Sequence, residues 1–202
     1  MTQGIWERIE EARERWNVLR HPFYRRWSAG ELSRGDLARY SGQYRRAVVA
    51  IAELSEAMAD AAPARSELLR HAAEEREHVM LWDGFVEAAG GSAGDLPTAE
   101  TEECVRAWSD RDDRLGRLVT LYAIESGQPE ISKTKRDGLL EHYGFADGPG
   151  TSYFRVHEQR DADHAAEGRA LIEELASAGD EDALAAAAEA AFRANWRLLD
   201  GV

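Results

Sequence analysis

Lysine is almost missing from this chain of 202 residues: Lys133 and Lys135 stand alone among its 25 Lys+Arg residues. Cysteine occurs once, at Cys104, so the chain forms no internal disulfide and no thiolate metal cluster, which fits a reducing cytoplasm. No apolar run approaches the length of a membrane span. The opening segment MTQGIWERIEEARERW is charged from Glu7 onward and has no signal-peptide stretch. Runs of alternating β-branched residues are also lacking, which leaves β architectures without support. Base is scarce relative to acid: 38 Asp+Glu against 25 Lys+Arg give a formal charge of −13 and a pI near 4.9. Such a chain repels phosphate backbones and anionic lipid, so neither nucleic acid nor a membrane surface is an expected partner. A small molecule is.

What is present reads with helical period almost throughout. An amphipathic helix is expected over Thr2 to Leu19, and a short one after Pro22, where proline suits the first helical position. Ser33, with Asp36 three residues on, opens a long helix reaching about Ala61, whose stripe is Leu37, Tyr40, Tyr44, Val48, Ile51, Leu54 and Met58. A third follows Pro63 and stops at Gly90-Gly91. Helical sequence continues from Thr98 to Ser126 with a break near Asp110, then from the GQP at 127–129 to Gly144. FADGPG reads as a loop, Thr151 as the cap of another long helix, and Asp180 to Leu199 as the last. The expectation is an all-α chain, residues 1–202 forming one domain, a bundle of about seven helices.

The chemistry lies in a few buried-type polar residues. His71, Glu74, Glu75 and His78 are separated by three, four and seven, offsets that return to one helix face at about 100° per residue. His157, Asp161 and His164 form a second such stripe. Glu125 sits in the otherwise apolar LVTLYAIES, where a lone carboxylate costs several kcal/mol unless it is paired or metal-bound. A surface histidine accounts for His71 or His78 taken alone, and a solvated face for most of Glu74, Glu75 and Glu77. Together the sets favour a metal site. Imidazole and carboxylate without thiolate suit iron or manganese, and also zinc. The supply of ligands from three helices exceeds one metal's need and matches two ions bridged by a carboxylate.

HPFYRRWSAGELSRGDLARYSGQYRRAV, EHVMLWDGF, LYAIESGQPEISKTKRDGLLEHYGF and YFRVHEQRDADH resemble the heme-oxygenase-like diiron oxidase superfamily, nearest its CADD branch and neighbouring the PqqC and TenA proteins. The resemblance spans about residues 15 to 170 and implies a heme-oxygenase-like seven-helix fold. It places His78, Glu125, His157, Asp161 and His164 on ligand positions. The family's first ligand, a Glu seven residues before His78, is His71 here; either His71 replaces it, or the helix re-registers and Glu74 or Glu75 serves. The resemblance further implies two iron ions, or a Mn/Fe pair, with O₂ as co-substrate. It also implies p-aminobenzoate formation, a step toward folate, from the protein's own tyrosine and lysine. Lys135 aligns with that lysine, and Tyr24 and Tyr153 best match the tyrosines near the site. Arginine cannot act as a neutral amine, whereas a buried lysine can; two surface lysines are the plainer alternative. A tyrosine expected just before the core Glu is Ile124. The family also implies a homodimer.

Three other readings use the same residues: oxidation of an external amine or amino acid, a metal-free TenA- or PqqC-like enzyme acting on a pyrimidine or quinone, and a non-enzymatic helical partner-binding protein. A TenA-type thiaminase would work through cysteine, and Cys104 lies apart from the motifs. Large exposed apolar stripes, which a partner-binding helix needs, are not evident.

Overall fold

The computed structural model describes residues 3–177 and 179–202. Among these it contains nine α-helices, one 3₁₀ turn and no strand. The helix α1 (Gln3–Arg15) stops four residues short of the expected Leu19, while Thr2, its expected start, lies outside the described residues. The stop has a local cause. The Asn17 side chain accepts from Leu19 N at 3.0 Å and turns the chain into the 3₁₀ segment Val18–Arg20.

Pro22 opens α2 (Pro22–Ser28), with the His21 ring nitrogen capping Phe23 N at 3.1 Å. Ser33 begins α3 (Arg34–Ala61) through a reciprocal cap: its hydroxyl accepts from Asp36 N at 3.1 Å while Asp36 accepts from Ser33 N at 2.8 Å. Aspartate thus does the work of the longer glutamate in a capping box worth about 1 kcal/mol. The helix α4 (Ser66–Ala89) ends at Gly90, whose φ of 72° is the left-handed conformation that glycine adopts without strain.

The stretch from Thr98 divides, as expected, into α5 (Ala99–Ser109) and α6 (Arg114–Ser126), the second capped by Asp113. Gly127 then separates α6 from α7 (Gln128–His142). The helix α8 (Pro149–Leu175) begins two residues before the expected cap. Proline presets the first turn, and Thr151 sits inside it, its hydroxyl accepting from Gly148 N at 3.1 Å. The chain closes with α9 (Glu181–Asp200). The nine α-helices among the described residues correspond to the segments expected along the chain, with the stretch from Thr98 counted as two, so the bundle estimate of about seven is low.

Two long helices organise the interior: α4 packs on α3 and α8, and α8 packs also on α6 and α7. Trp27, Trp82 and Trp108 are fully buried, and each indole N–H reaches a backbone carbonyl, those of Lys135, Ser41 and Ala191 respectively. The close approach of α2 to α7 depends on Gly138, where a Cβ would lie 2.6 Å from Trp27 Cδ1. No helix among the described residues is long and apolar enough to cross a membrane.

Candidate metal centre

Three helices aim polar side chains at one buried place. From α4 come His71, Glu75 and His78, from α6 Glu125, and from α8 His157, Asp161 and His164, all buried. The spacing arithmetic explains each helix's share; the packing of α4 and α6 on α8 brings the shares together.

The donor atoms fall into two groups, each with its atoms within 4.8 Å of one another: His71, Glu75, Glu125 and His164 in one, Glu75, His78 and His157 in the other. Glu75 belongs to both. Its Oε1 stands 2.9 Å from His78 Nδ1 and 3.6 Å from His71 Nε2. The sequence posed His71 or a re-registered Glu74 or Glu75 as alternatives, but α4 runs unbroken through this segment and offers His71 and Glu75 at once. Asp161 lies outside both groups and faces them, its Oδ1 3.7 Å from His164 Nδ1.

Two imidazoles have their orientation fixed from behind. His164 Nε2 is held by Glu74 Oε2 at 2.8 Å, which leaves Nδ1 directed inward; His157 Nδ1 is held by the Tyr153 carbonyl at 2.8 Å, which leaves Nε2. Such second-layer partners fix the tautomer of metal-binding histidines. Glu74 is steadied by Arg160, 3.1 Å away.

Several of these atoms lack a partner. Both oxygens of Asp161, Glu125 Oε1, His71 Nε2 and His164 Nδ1 are buried without a hydrogen bond. His71 Nε2 and Glu125 Oε1 are only 2.7 Å apart, yet not aligned as donor and acceptor. Buried orphans of this kind are costly, and a cation held by His71, Glu125 and His164 would satisfy those of the first donor group. The donor set therefore fits an iron centre of imidazole and carboxylate.

The charges agree. Burial alone would discharge His71, but the facing Glu125 and Glu75 carboxylates reverse this and hold its imidazolium up to about 11. Burial works against the charge of Glu75 as well, yet the neighbouring His71 and His78 keep its carboxyl well below the usual range. Asp161 goes the other way, pushed well above the usual carboxylate range by burial and then by Glu125 and Glu75. Burial also draws His157 down to about 3, so it stays a neutral donor. Protons here stand in for the positive charge that metal ions would supply.

A close-packed aromatic cage around one lysine adjoins the cluster. His157 stacks on Tyr153 with ring centroids 3.9 Å apart, and Tyr153 meets Trp82 edge-on at 4.7 Å. Beyond Trp82 lies Lys135, fully buried, its Nζ without a hydrogen-bond partner. Its ammonium position is 4.6 Å from the Tyr44 ring centroid, 5.4 Å from Tyr24, 5.6 Å from Tyr40 and 5.7 Å from Trp82. Burial alone draws its pKa down to about 7. The surface-lysine alternative fits Lys133, which is exposed and paired with Asp137, and not Lys135. Tyr24 and Tyr40 share a hydrogen bond, OH to OH, at 2.7 Å. Tyr153 lies nearer the cluster than Tyr24, its hydroxyl buried and unpartnered.

Sequence reading missed Tyr40, Tyr44 and Trp82 as site residues, taking the two tyrosines as core stripe. Their spacing of four on α3 was the available signal, but spacing does not tell a purely apolar core from the packing around a buried amine. Cys104 is buried in α5, outside both donor groups, and burial pushes its thiol well above the usual range, which disfavours the thiolate that a TenA-type mechanism needs.

Residues 37–196 match the profile of a family described as iron-containing redox enzyme. The chain is 33% identical over 198 residues to the 4-aminobenzoate synthase of Chlamydia muridarum, covering 91% of this chain and 84% of the relative. It is 30% identical over 225 residues to that of Nitrosomonas europaea, covering 100% and 92%. Among solved structures, a TenA homologue from Pseudomonas syringae superposes with a TM-score of 0.85 at 19% identity, over 98% of this chain and 91% of that one. A heme-oxygenase-like domain from Shewanella denitrificans superposes with a TM-score of 0.75 at 18% identity, over 95% and 88%. Likeness at these identities shows the fold alone, which is of heme-oxygenase-like type.

Proposed function

Because the chain belongs to the iron-containing redox enzymes and is an oxidoreductase, we propose that it binds two iron ions at the α4–α6–α8 cluster, uses O₂, and forms p-aminobenzoate from its own tyrosine and lysine. The observation that carries this reading is Lys135, a buried unpartnered amine enclosed by tyrosines and set behind a metal-site histidine. The names of the relatives support it.

His71, Glu125 and His164 would hold one ion, His78 and His157 the other, with Glu75 shared and Asp161 beside His164. A Mn/Fe pair suits the same donors. The metals supply electrons to O₂ and oxidising power toward an aromatic ring; the remaining tasks fall to the chain. Tyr153 and Trp82 wall the cluster from Lys135 with aromatic surface, which excludes water. Near neutral pH, Lys135 exists partly as the free amine, whose lone pair is the nucleophile a nitrogen transfer requires. Tyr24 and Tyr40 stay phenols because burial raises both well above the usual range, and their mutual hydrogen bond gives either one a proton acceptor at its oxygen. Tyr24 is the tyrosine assigned as consumed, with Tyr40 as its partner. The reading includes a homodimer working in the cytoplasm without nucleic acid or membrane.

The test is anaerobic loading with Fe(II), a metal count, and exposure to O₂ with mass analysis of both the chain and released p-aminobenzoate. The expected result is two metals per chain, Fe-dependent O₂ uptake, and a mass loss from the peptide bearing Tyr24. A protein that binds no stoichiometric metal and consumes no O₂ sinks the reading.

A further inference from the structure

The two donor groups differ in how they meet solvent. A narrow recess between α4, α6 and α8, about 20 Å³ in volume, is floored by His71, Glu125 and His164 of the first group, while Glu75, His78 and His157 do not line it. The volume suffices for about one water, and so for a small ion shedding its last waters. Exposure leans the same way: His71 and His164 are each 7% exposed and Glu125 4%, against 2% for Glu75 and 3% for His78 and His157. The outer group faces the recess, the inner group lies behind it, and the Glu75 carboxylate is common to both.

We propose that this recess is the metal-loading port and that the site fills in order. The outer group, His71, Glu125 and His164, takes an ion from solvent, Glu75 passes it to His78 and His157, and a second ion then closes the outer position. The proposal rests on the two-ion reading above. It assigns the protein an exchangeable outer ion and a retained inner one, which is how one chain with nearly equivalent donors keeps two ions distinct. Gly168 on α8 and Tyr122 on α6 both line the recess. A Cβ at Gly168 would meet Tyr122 Cβ at 3.9 Å, an ordinary contact, so alanine fits and leaves the recess open. A tryptophan there would fill it.

Cobalt(II) is the probe, because its visible absorption reports coordination without turnover. Uptake by the full-length apoprotein should reach two equivalents in two phases. On adding EDTA, one ion should leave about tenfold faster than the other, since the inner ion needs local opening of the fold. Gly168→Ala should keep both rates, and Gly168→Trp should slow uptake and release while still reaching two equivalents. His157→Ala should retain one rapidly exchanging ion. Both glycine replacements favour the helix, and circular dichroism verifies folding. Two equivalents released in one phase, or Gly168→Trp exchanging as fast as Gly168→Ala, overturns ordered loading through this port while leaving the two-ion reading intact. Binding of no cobalt at all overturns both.

Discussion

Glu74 Oε2 accepts a hydrogen bond from His164 Nε2 at 2.8 Å, across the interface between α4 and α8. The acid is half-buried and lies outside the donor groups. Its role is to hold the imidazole in the tautomer that directs Nδ1 inward. Glu74→Ala should therefore weaken metal binding about 10- to 100-fold, with the fold intact. Glu74→Gln should recover part of that loss, since an amide oxygen still accepts. Competition titration with a chelator of known affinity measures it, and unchanged affinity in Glu74→Ala would remove Glu74 from the site.

Glu75 contacts both groups, so its replacement has a different signature. Glu75→Gln should lower the metal count from two toward one and abolish magnetic coupling between the ions, as read by elemental analysis and by EPR of a manganese-loaded sample. The apoprotein should also lose stability, because the amide no longer pairs as an anion with the buried His71 and His78 imidazoles. Two coupled ions in this variant would move the bridging role to another carboxylate.

Lys135 separates chemistry from packing. Its folded pKa is drawn from 10.5 down to about 7 by burial. The unfolded chain therefore binds the extra proton between these values, and stability of the apoprotein rises with pH from about 7 to 10.5. Lys135→Met should flatten that rise and raise Tm near pH 7, because it replaces an unpartnered amine with an apolar side chain of similar length. It should also abolish p-aminobenzoate formation, and Lys135→Arg should not restore it. In the wild type, product formation should climb as pH passes about 7. Product made by Lys135→Met would exclude this amine as the nitrogen source.

The helix α8 carries Asp161, His157 and His164 into the core, with Asp161 and His164 Nδ1 unpartnered. Binding Fe(II) should relieve these groups, raise Tm, and slow hydrogen exchange across residues 151–166, which follow the loop before Pro149. Unchanged protection in that segment would place the metal elsewhere.

Much of this is legible in the sequence itself. The Ser33–Asp36 cap, the Gly90 stop and the break near Asp110 are local, and local rules found them. The faces bearing His71 with His78 and His157 with His164 followed from helical periodicity, and Glu125 announced itself as an acid in an apolar segment. The start of α8 at Pro149 was missed because FADGPG reads as loop until the neighbouring helices fix where the turn begins.

By itself, the sequence determined which helices form and which polar side chains share a face, because both depend on neighbours three or four residues away. The tertiary structure decided which faces meet. It made Glu75 common to two groups, set Glu74 behind His164, and left Lys133 in water while enclosing Lys135 among Tyr24, Tyr40 and Tyr44. Two lysines separated by one residue point about 200° apart around a helix, and only the packing of α7 on α2 and α8 settled which one was buried.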